Sequence, residues 1–483
     1  MQRRFVFNLL LLLLLNLLVK PFYIFFIDME ILERVGAEVY GNYFALINFS
    51  FILNIILDMG MTNFNTRHIS QNQHLLRKHF SGMLSLRAIL FILYLIAVLV
   101  FGFSFGYSRE QLEILVVLAF NQGLVATILY LRSNLTALQL FKQDSLVSIM
   151  DRLLLIGMMG ALLWGGITEK PFQIEWFIYG QTAAYFLTAV FVLILVVRQT
   201  GKLKPKIEPI FSRVILKQSI PYALLTLFMM VHYKTDGVML ERMLDNGTLQ
   251  AGIYASGYRF FEAANMVGYL FAVLLLPMFS RALKEKKDVG PLLALSFKLL
   301  FSGAFLLAVV CYIFDREILS LRFSQHLDEA APVFGLLMFS FLAFSLSYVF
   351  GSLLTASGKL KWLNILAFSA MALNIIMNFM LIPTQMAYGS ALASLVTQAL
   401  VLAVQIGLMI HAFRFRVNWS LLLRTALFVV LVITAAWSTT IIEWEWQLEL
   451  MFVLATGTLT AVLTGMLSMK RFFALLKQRQ QEN

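Results

Sequence analysis

Fourteen apolar stretches, each long enough to cross a bilayer, follow one another through this 483-residue chain with only short connections between them. A helix needs about 20 apolar residues to span some 30 Å of hydrocarbon. Windows of that length fall at about 5–27, 41–62, 80–105, 112–132, 145–166, 172–198, 216–240, 250–279, 293–314, 332–355, 362–384, 388–410, 420–440 and 448–468. Inside lipid every backbone N–H and C=O must find a partner within the protein, so runs this long are helices. The expected fold class is all-α, a polytopic integral membrane protein of about 14 transmembrane helices. Only 13% of the residues are charged, against roughly 25% in soluble domains. No connection is long enough to fold alone, so no soluble domain is expected.

The formal charge of +12 is arranged along the chain in a way that argues for topology rather than nucleic-acid binding. With both termini in the cytoplasm, about 26 of the 38 Lys and Arg residues fall on that side, about 6 outside and about 6 within spans. The inner connections carry Arg67, Arg77 and Lys78; then Lys202, Lys204, Lys206 and Arg213; then Arg281, Lys284, Lys286 and Lys287. Lys470, Arg471, Lys477 and Arg479 follow at the C-terminus. One comparison is neutral, with Arg316 and Arg322 outside against Lys359 and Lys361 inside. A missed helix inverts every later loop, so this agreement supports an even count. Basic inner loops also meet anionic membrane lipids. Arg3 and Arg4 before a leucine run resemble a signal peptide, but Lys20 and Pro21 interrupt the run and no small-residue cleavage site follows. The first helix is expected to be retained. The single cysteine, Cys311, permits no internal disulfide.

The two halves echo each other. Leu32-Glu33-Arg34 and Tyr40-Gly41-Asn42-Tyr43 follow the first span; Leu240-Glu241-Arg242 and Gly252-Ile253-Tyr254 follow the seventh. Leu135-Thr136-Ala137 with Lys142 likewise echoes Leu354-Thr355-Ala356 with Lys361. Six helices per unit preserve orientation, so the halves are expected to be parallel pseudo-repeats about an axis along the membrane normal. The basic connection at 199–215, with Pro205 and Pro209, divides them. The expected domains are an N-lobe of spans 1–6 (1–200), a C-lobe of spans 7–12 (201–415), and two accessory spans with a cytoplasmic tail (416–483).

Ionisable residues within spans point to function, because each costs about 2.5–3.5 kcal/mol at a helix centre. They are Lys20, Asp58, Arg87, Asp151, Arg152, Lys234, Asp236, Arg259, Glu262 and Lys298, six basic to four acidic. Lys20, Lys234, Asp236, Arg259 and Glu262 fall at similar depths in outer halves of spans. Two interpretations stay open for them: a cavity between lobes with cations for an anionic head group, or internal pairing. Arg259 and Glu262, spaced i,i+3, share a face on which they can neutralise each other. Lys20 and Lys234 can also snorkel to the interface. Asp58 lies at the inner end of span two. Arg87, Asp151, Arg152 and Lys298 lie within two turns of a cytoplasmic end, where anchoring is inexpensive; Arg87, the deepest, can line an inner mouth. No H-E-x-x-H, C-x-x-C or G-x-S-x-G occurs, and Gly358-Lys359 lacks the rest of a phosphate loop. His68, His74 and His79 have no metal-ligand spacing. No catalytic residue, metal or cofactor is expected, and the protein is not expected to be an enzyme.

Val35-Gly36-Ala37-Glu38-Val39-Tyr40-Gly41, followed by Asp58-Met59-Gly60, resembles the first two spans of bacterial polysaccharide flippases of the Wzx type. These belong to the multidrug/oligosaccharidyl-lipid/polysaccharide exporter superfamily. The stretch from Asp236 through Gly252-Ile253-Tyr254, Tyr258-Arg259 and Pro277 is similar to that family's seventh and eighth helices. Glu329-Ala330-Ala331-Pro332-Val333, then Asn374, Asn378, Ile382-Pro383, Gly389 and Ala391, resemble its tenth to twelfth. The segment Thr384-Gln385-Met386-Ala387-Tyr388 departs from the family in lacking a basic residue after the proline. The resemblance implies alternating-access flipping of a polyprenyl-pyrophosphate-linked oligosaccharide across the bacterial cytoplasmic membrane, with the tail left in lipid against the last two helices. On that basis Arg259, Lys20, Lys234 and Arg87 are the head-group candidates, and Asp236 and Glu262 the candidates for coupling to H⁺ or Na⁺. Two alternatives remain. A multidrug antiporter of the same superfamily favours an acidic cavity for cationic drugs, whereas six to four tilts toward an anion. A glycan polymerase or ligase needs a substantial outer loop, and the longest here is about 17 residues (315–331).

Overall fold

A computed structural model describes residues 14–62, 65, 69, 76–200, 209–415, 418–442 and 444–467. Outside the described residues lie Arg3, Arg4, Arg67, His68, His74, Lys202, Lys204, Pro205, Lys206 and the tail residues Lys470, Arg471, Lys477 and Arg479.

Among the described residues every regular element is a helix. Eleven helices are long and apolar enough to cross a membrane. One of these, Leu360–Phe413, is broken at Met386 by non-helical backbone (φ 51°, ψ −133°), inside the expected connection, and so counts as two. The first segment and Pro209–Met243 complete the fourteen. Pro209–Met243 is less apolar because its end carries Lys234, Asp236, Glu241 and Arg242. In chain order the spans are α1 (14–35), α2 (Ala37–Asp58), α3 (Leu76–Ser104), α4 (Arg109–Ala137), α5 (Phe141–Trp164), α6 (Ile174–Thr200) and α7 (Pro209–Met243). Then follow α8 (Gly247–Lys284), α9 (Gly290–Ile313), α10 (Leu327–Ala356), α11 (360–385), α12 (387–413), α13 (Trp419–Ile442) and α14 (Trp446–Leu463).

Two boundaries differ from expectation in ways that matter. The first span runs to Val35 rather than 27, because helical hydrogen bonding continues through the charged stretch Met29–Val35 until Gly36 turns the chain at φ +83°. Pro21 has no N–H to bond to residue 17, and two residues later the helix widens into a π-helical stretch, Tyr23–Asp28. Such stretches favour functional positions. The fifth span starts at Phe141, one turn before the expected 145.

The chain divides into two compact units, Met1–Arg259 with Ala367–Ser390, and Phe260–Leu366 with Ala391–Asn483. In the first, α2 packs on α7 and α4, and α6 on α4 and α5. In the second, α9 lies against α10 and carries α13 and α14 on Phe305, Val309, Phe428, Val432 and Val453. There a Cβ on Gly457 would lie 2.3 Å from a Leu306 methyl, so the glycine sets that close packing.

The first unit also contains a close helix crossing at two glycines. A Cβ on Gly41 would lie 1.8 Å from the Thr248 carbonyl oxygen, and one on Gly252 would lie 1.9 Å from the Ala37 carbonyl oxygen. The contact is reciprocal: Ala37 follows Gly36 at the start of α2, and Thr248 follows Gly247 at the start of α8. The two glycine-initiated helices thus cross backbone to backbone, as small residues allow in membranes.

Candidate transport site

The turn of α1 into α2 brings a buried acid beside a buried base. Asp28, at the end of the π-helical stretch, is 3% exposed, and Arg259 of α8 is 9% exposed. Arg259 Nε lies 2.8 Å from Asp28 Oδ2. Arg259 also donates to the Tyr40 hydroxyl through Nε at 2.8 Å and Nη2 at 2.6 Å, and that hydroxyl donates to Asp28 Oδ1 at 2.8 Å. Tyr40 is therefore a relay in a closed acid–tyrosine–base triangle. Tyr43 packs edge-on against Tyr40 and accepts from Gln181 Nε2 at 2.9 Å, tying the triangle to α6. Arg259 is thus engaged by Asp28, a partner that the i,i+3 spacing to Glu262 did not point to. A base at this depth takes the partner that best replaces its hydration, and Asp28 offers a carboxylate plus a tyrosine.

Asp236 on α7 is its counterpart in the other half. It is 2% exposed, accepts from the Tyr254 hydroxyl at 2.8 Å and from Asn378 Nδ2 at 2.7 Å, and Asn378 Nδ2 also meets Asn374 Oδ1 at 3.1 Å. Asn374 Nδ2 and Asn378 Oδ1 are buried with no hydrogen-bond partner. That is an unusual concentration of unsatisfied amide groups next to a carboxylate. Lys234, half-buried on the same helix, has its Nζ 3.4 Å from the Tyr258 hydroxyl and over the Phe51 and Tyr258 rings.

The other candidates are separate. Arg87 Nη1 pairs with Asp58 Oδ1 at 2.7 Å, its Nη2 donates to the Ala126 carbonyl at 2.8 Å, and its guanidinium lies over Tyr130. With Thr62 donating to Asp58 as well, this is a saturated cluster. Lys20 falls in a different group, with Arg152, Asp151 and Arg132 as the charges that act on it. Glu262 belongs to the second unit. The four head-group candidates thus differ in their immediate partners. Arg152 lies 11 residues into α5, which begins at Phe141.

Sequence reasoning missed Asp28 and the clasp formed by Arg242. Arg242 Nη2 reaches Gln111 Oε1 at 3.0 Å, its guanidinium stacks on Tyr107 at 3.9 Å, and Gln111 Nε2 bonds Asn42 Oδ1 and Glu241 Oε1. A signal for Asp28 was present. The 208-residue offset between Leu32 and Leu240 extends backward to Asp28 and Asp236, so the two acids are repeat equivalents.

A family profile described as "Polysaccharide biosynthesis protein" matches residues 5–283, more than half of the chain and including both acids and Arg259. The protein belongs to that family. Direct comparison with curated protein sequences gives no match. The fold is similar to that of the lipid II flippase MurJ in an inward closed conformation, at 14% identity over 95% of this chain and 97% of that one, with a TM-score of 0.70. It is also similar to an inward-facing multidrug resistance MATE family transporter of the MOP superfamily (13% identity, 82% and 96% covered, TM-score 0.64). A third similarity is to a MOP superfamily transporter from Pyrococcus furiosus (13%, 85% and 96%, TM-score 0.58). At these identities the likenesses establish the fold alone, that of a multi-pass membrane protein.

Proposed function

We propose that this polysaccharide biosynthesis protein flips a polyprenyl-pyrophosphate-linked oligosaccharide across the bacterial cytoplasmic membrane, with both termini in the cytoplasm. The lobes 1–200 and 201–415 alternate access around a charged centre, and spans 13 and 14 (416–483) are accessory and face the polyprenyl tail. The observation that carries this is a set of cations held well inside helices by tyrosines: Arg259 by Tyr40, Lys234 by Tyr258 and Arg152 by Tyr23. A sugar-pyrophosphate head is too polar to enter hydrocarbon, while its tail never leaves lipid. Pyrophosphate oxygens are matched by Arg and Lys through charge-assisted hydrogen bonds. Lys20, Lys234 and Arg259 remain the head-group set. Arg87 is better read as a structural tie, given its saturated partners.

Asp236 is the coupling residue, with Glu262 as a second acid on the adjoining helix. The orphaned Asn378 Oδ1 beside Asp236 supplies a second oxygen for H⁺ or Na⁺. Asp236→Asn is expected to remove the dependence of transport on the imposed ion gradient and to slow it by about tenfold or more, since a contact to a charged group is worth roughly 1.5–3 kcal/mol. An unchanged gradient response in that variant removes Asp236 from the coupling role.

Cells depleted of the protein are expected to accumulate lipid-linked oligosaccharide facing the cytoplasm with no change in drug sensitivity. Altered drug sensitivity without that accumulation favours the antiporter alternative.

A further inference from the structure

The second unit holds an open stripe on its most enclosed helix. Of the helices apolar enough to cross a membrane, α10 is the most buried. Over 343–355 it is open at four positions only, Ser347, Tyr348, Gly351 and Thr355, each half-buried. These four share about 100° of the helix surface and form one face about 12 Å long. Polar side chains within a membrane span turn to the protein interior or to water rather than to lipid. A face of two hydroxyls, a phenol and a glycine, left open, therefore meets water.

Neighbouring helices of the same unit form its sides. Asn265 of α8, half-buried, donates from Nδ2 to the Tyr348 hydroxyl at 3.5 Å. One turn on, Tyr269 is exposed and packs edge-on against Tyr348, with ring centroids 6.3 Å apart. Tyr269 sits about 18 Å before Arg281 along α8, far from the interfacial belt where tyrosines gather in membrane proteins. From α12 comes Gln405. A Cβ on Gly351 would meet nothing beyond its own helix but the Gln405 amide, 3.6 Å from Nε2. Gly351 thus leaves a gap in the floor that the glutamine overhangs.

The two amides are under-used. Asn265 Oδ1 and Gln405 Oε1 are buried with no hydrogen-bond partner among the described residues, and Gln405 as a whole is 8% exposed. Native proteins leave few such atoms. The terminal torsion of each amide is soft, and turning it presents either oxygen or nitrogen to the groove. The surroundings are uncharged, with no Asp, Glu, Lys or Arg over 263–280, 330–358 or 387–413. A phosphoryl group finds no cation on these stretches. Neutral donors and acceptors beside aromatic rings suit a sugar instead. Its hydroxyls pair with amides, and its polarised C–H groups meet the negative face of an aromatic ring.

We propose that Asn265, Tyr269, Tyr348, Gly351 and Gln405 form a subsite for one neutral sugar ring, held by hydroxyl–amide hydrogen bonds over the Gly351 gap. That the ring belongs to the glycan of a lipid-linked substrate rests on the flippase function. Purified protein in lipid nanodiscs is titrated with the lipid-linked oligosaccharide extracted from cells depleted of the protein and, separately, with bare polyprenyl pyrophosphate, and binding is read by native mass spectrometry. The parent protein is expected to prefer the glycosylated lipid. Asn265→Leu and Gln405→Met each cut that preference about three- to tenfold, with affinity for the bare lipid unchanged. Melting temperature stays level or rises in both, because each replaces an unsatisfied buried amide by an apolar side chain of similar shape. Gly351→Val, which fills the gap, gives the same loss of preference. A parent protein without preference, variants that keep it, or variants that lose affinity for both lipids alike overturn the proposal. So does a fall in melting temperature with binding intact, the mark of a structural role. If the preference behaves as expected but the parent protein moves no oligosaccharide between leaflets, the subsite stands and the flippase function falls. Normal exchange with an undiminished preference in all three variants does the reverse.

Discussion

Arg259→Ala is expected to destabilise the protein by about 3–5 kcal/mol, the cost of leaving a buried carboxylate without its partner. Asp28 is 3% exposed and its oxygens bond Arg259 and Tyr40, so removal of the guanidinium takes a 2.8 Å ion pair from a buried carboxylate. Asp28→Asn added to Arg259→Ala should recover part of that loss, because the amide keeps an acceptor for Tyr40 without the charge. Thermal unfolding in detergent of the two single variants and the double variant gives the coupling energy directly. A double variant no more stable than Arg259→Ala alone contradicts the triangle as a charge-neutralising unit. All three variants are expected to lose transport, the rescued double variant included, and that separates a functional requirement for the guanidinium from a folding one.

The second large effect is expected at the glycine crossing. Gly41→Val and Gly252→Val each drive a side chain into backbone atoms of the facing helix, where no rotamer change relieves the clash. Overpacking in cores costs about 1–3 kcal/mol and occasionally more; contact with a carbonyl oxygen at 1.8 or 1.9 Å puts these at or beyond the upper end. Gly157 on α5 is the control, with nothing within 4 Å of a Cβ there, so Gly157→Ala should be neutral or slightly stabilising through helix propensity. Equal expression and melting temperature for Gly41→Val and the parent protein would contradict the crossing.

The fold class was legible because hydropathy reports membrane crossing almost directly, and the motifs around Gly36–Gly41 and Gly252–Tyr254 carried the family. The site was less legible. The first span seemed to stop at residue 27, one position before Asp28, since hydropathy registers the end of the hydrocarbon and not the end of the helix. The acid that holds Arg259 therefore counted as a loop charge. Asn374 and Asn378 carry no charge, so a search for ionisable residues passed over them, although the family resemblance marked both. The partner of Arg259 is 231 positions away in sequence (259 − 28), and only the repeat offset linking Asp28 to Asp236 hinted at it.

The central claim is that charged side chains carried inside these helices let a hydrophilic lipid head change leaflets. The direct measurement is leaflet exchange of a fluorescent polyprenyl-pyrophosphate-linked oligosaccharide in vesicles reconstituted with the purified protein, under imposed H⁺ or Na⁺ gradients. The expected result is gradient-dependent exchange that vanishes in the Asp28→Asn/Arg259→Ala double variant. Exchange no faster than in protein-free vesicles, or equally fast in that variant, contradicts it.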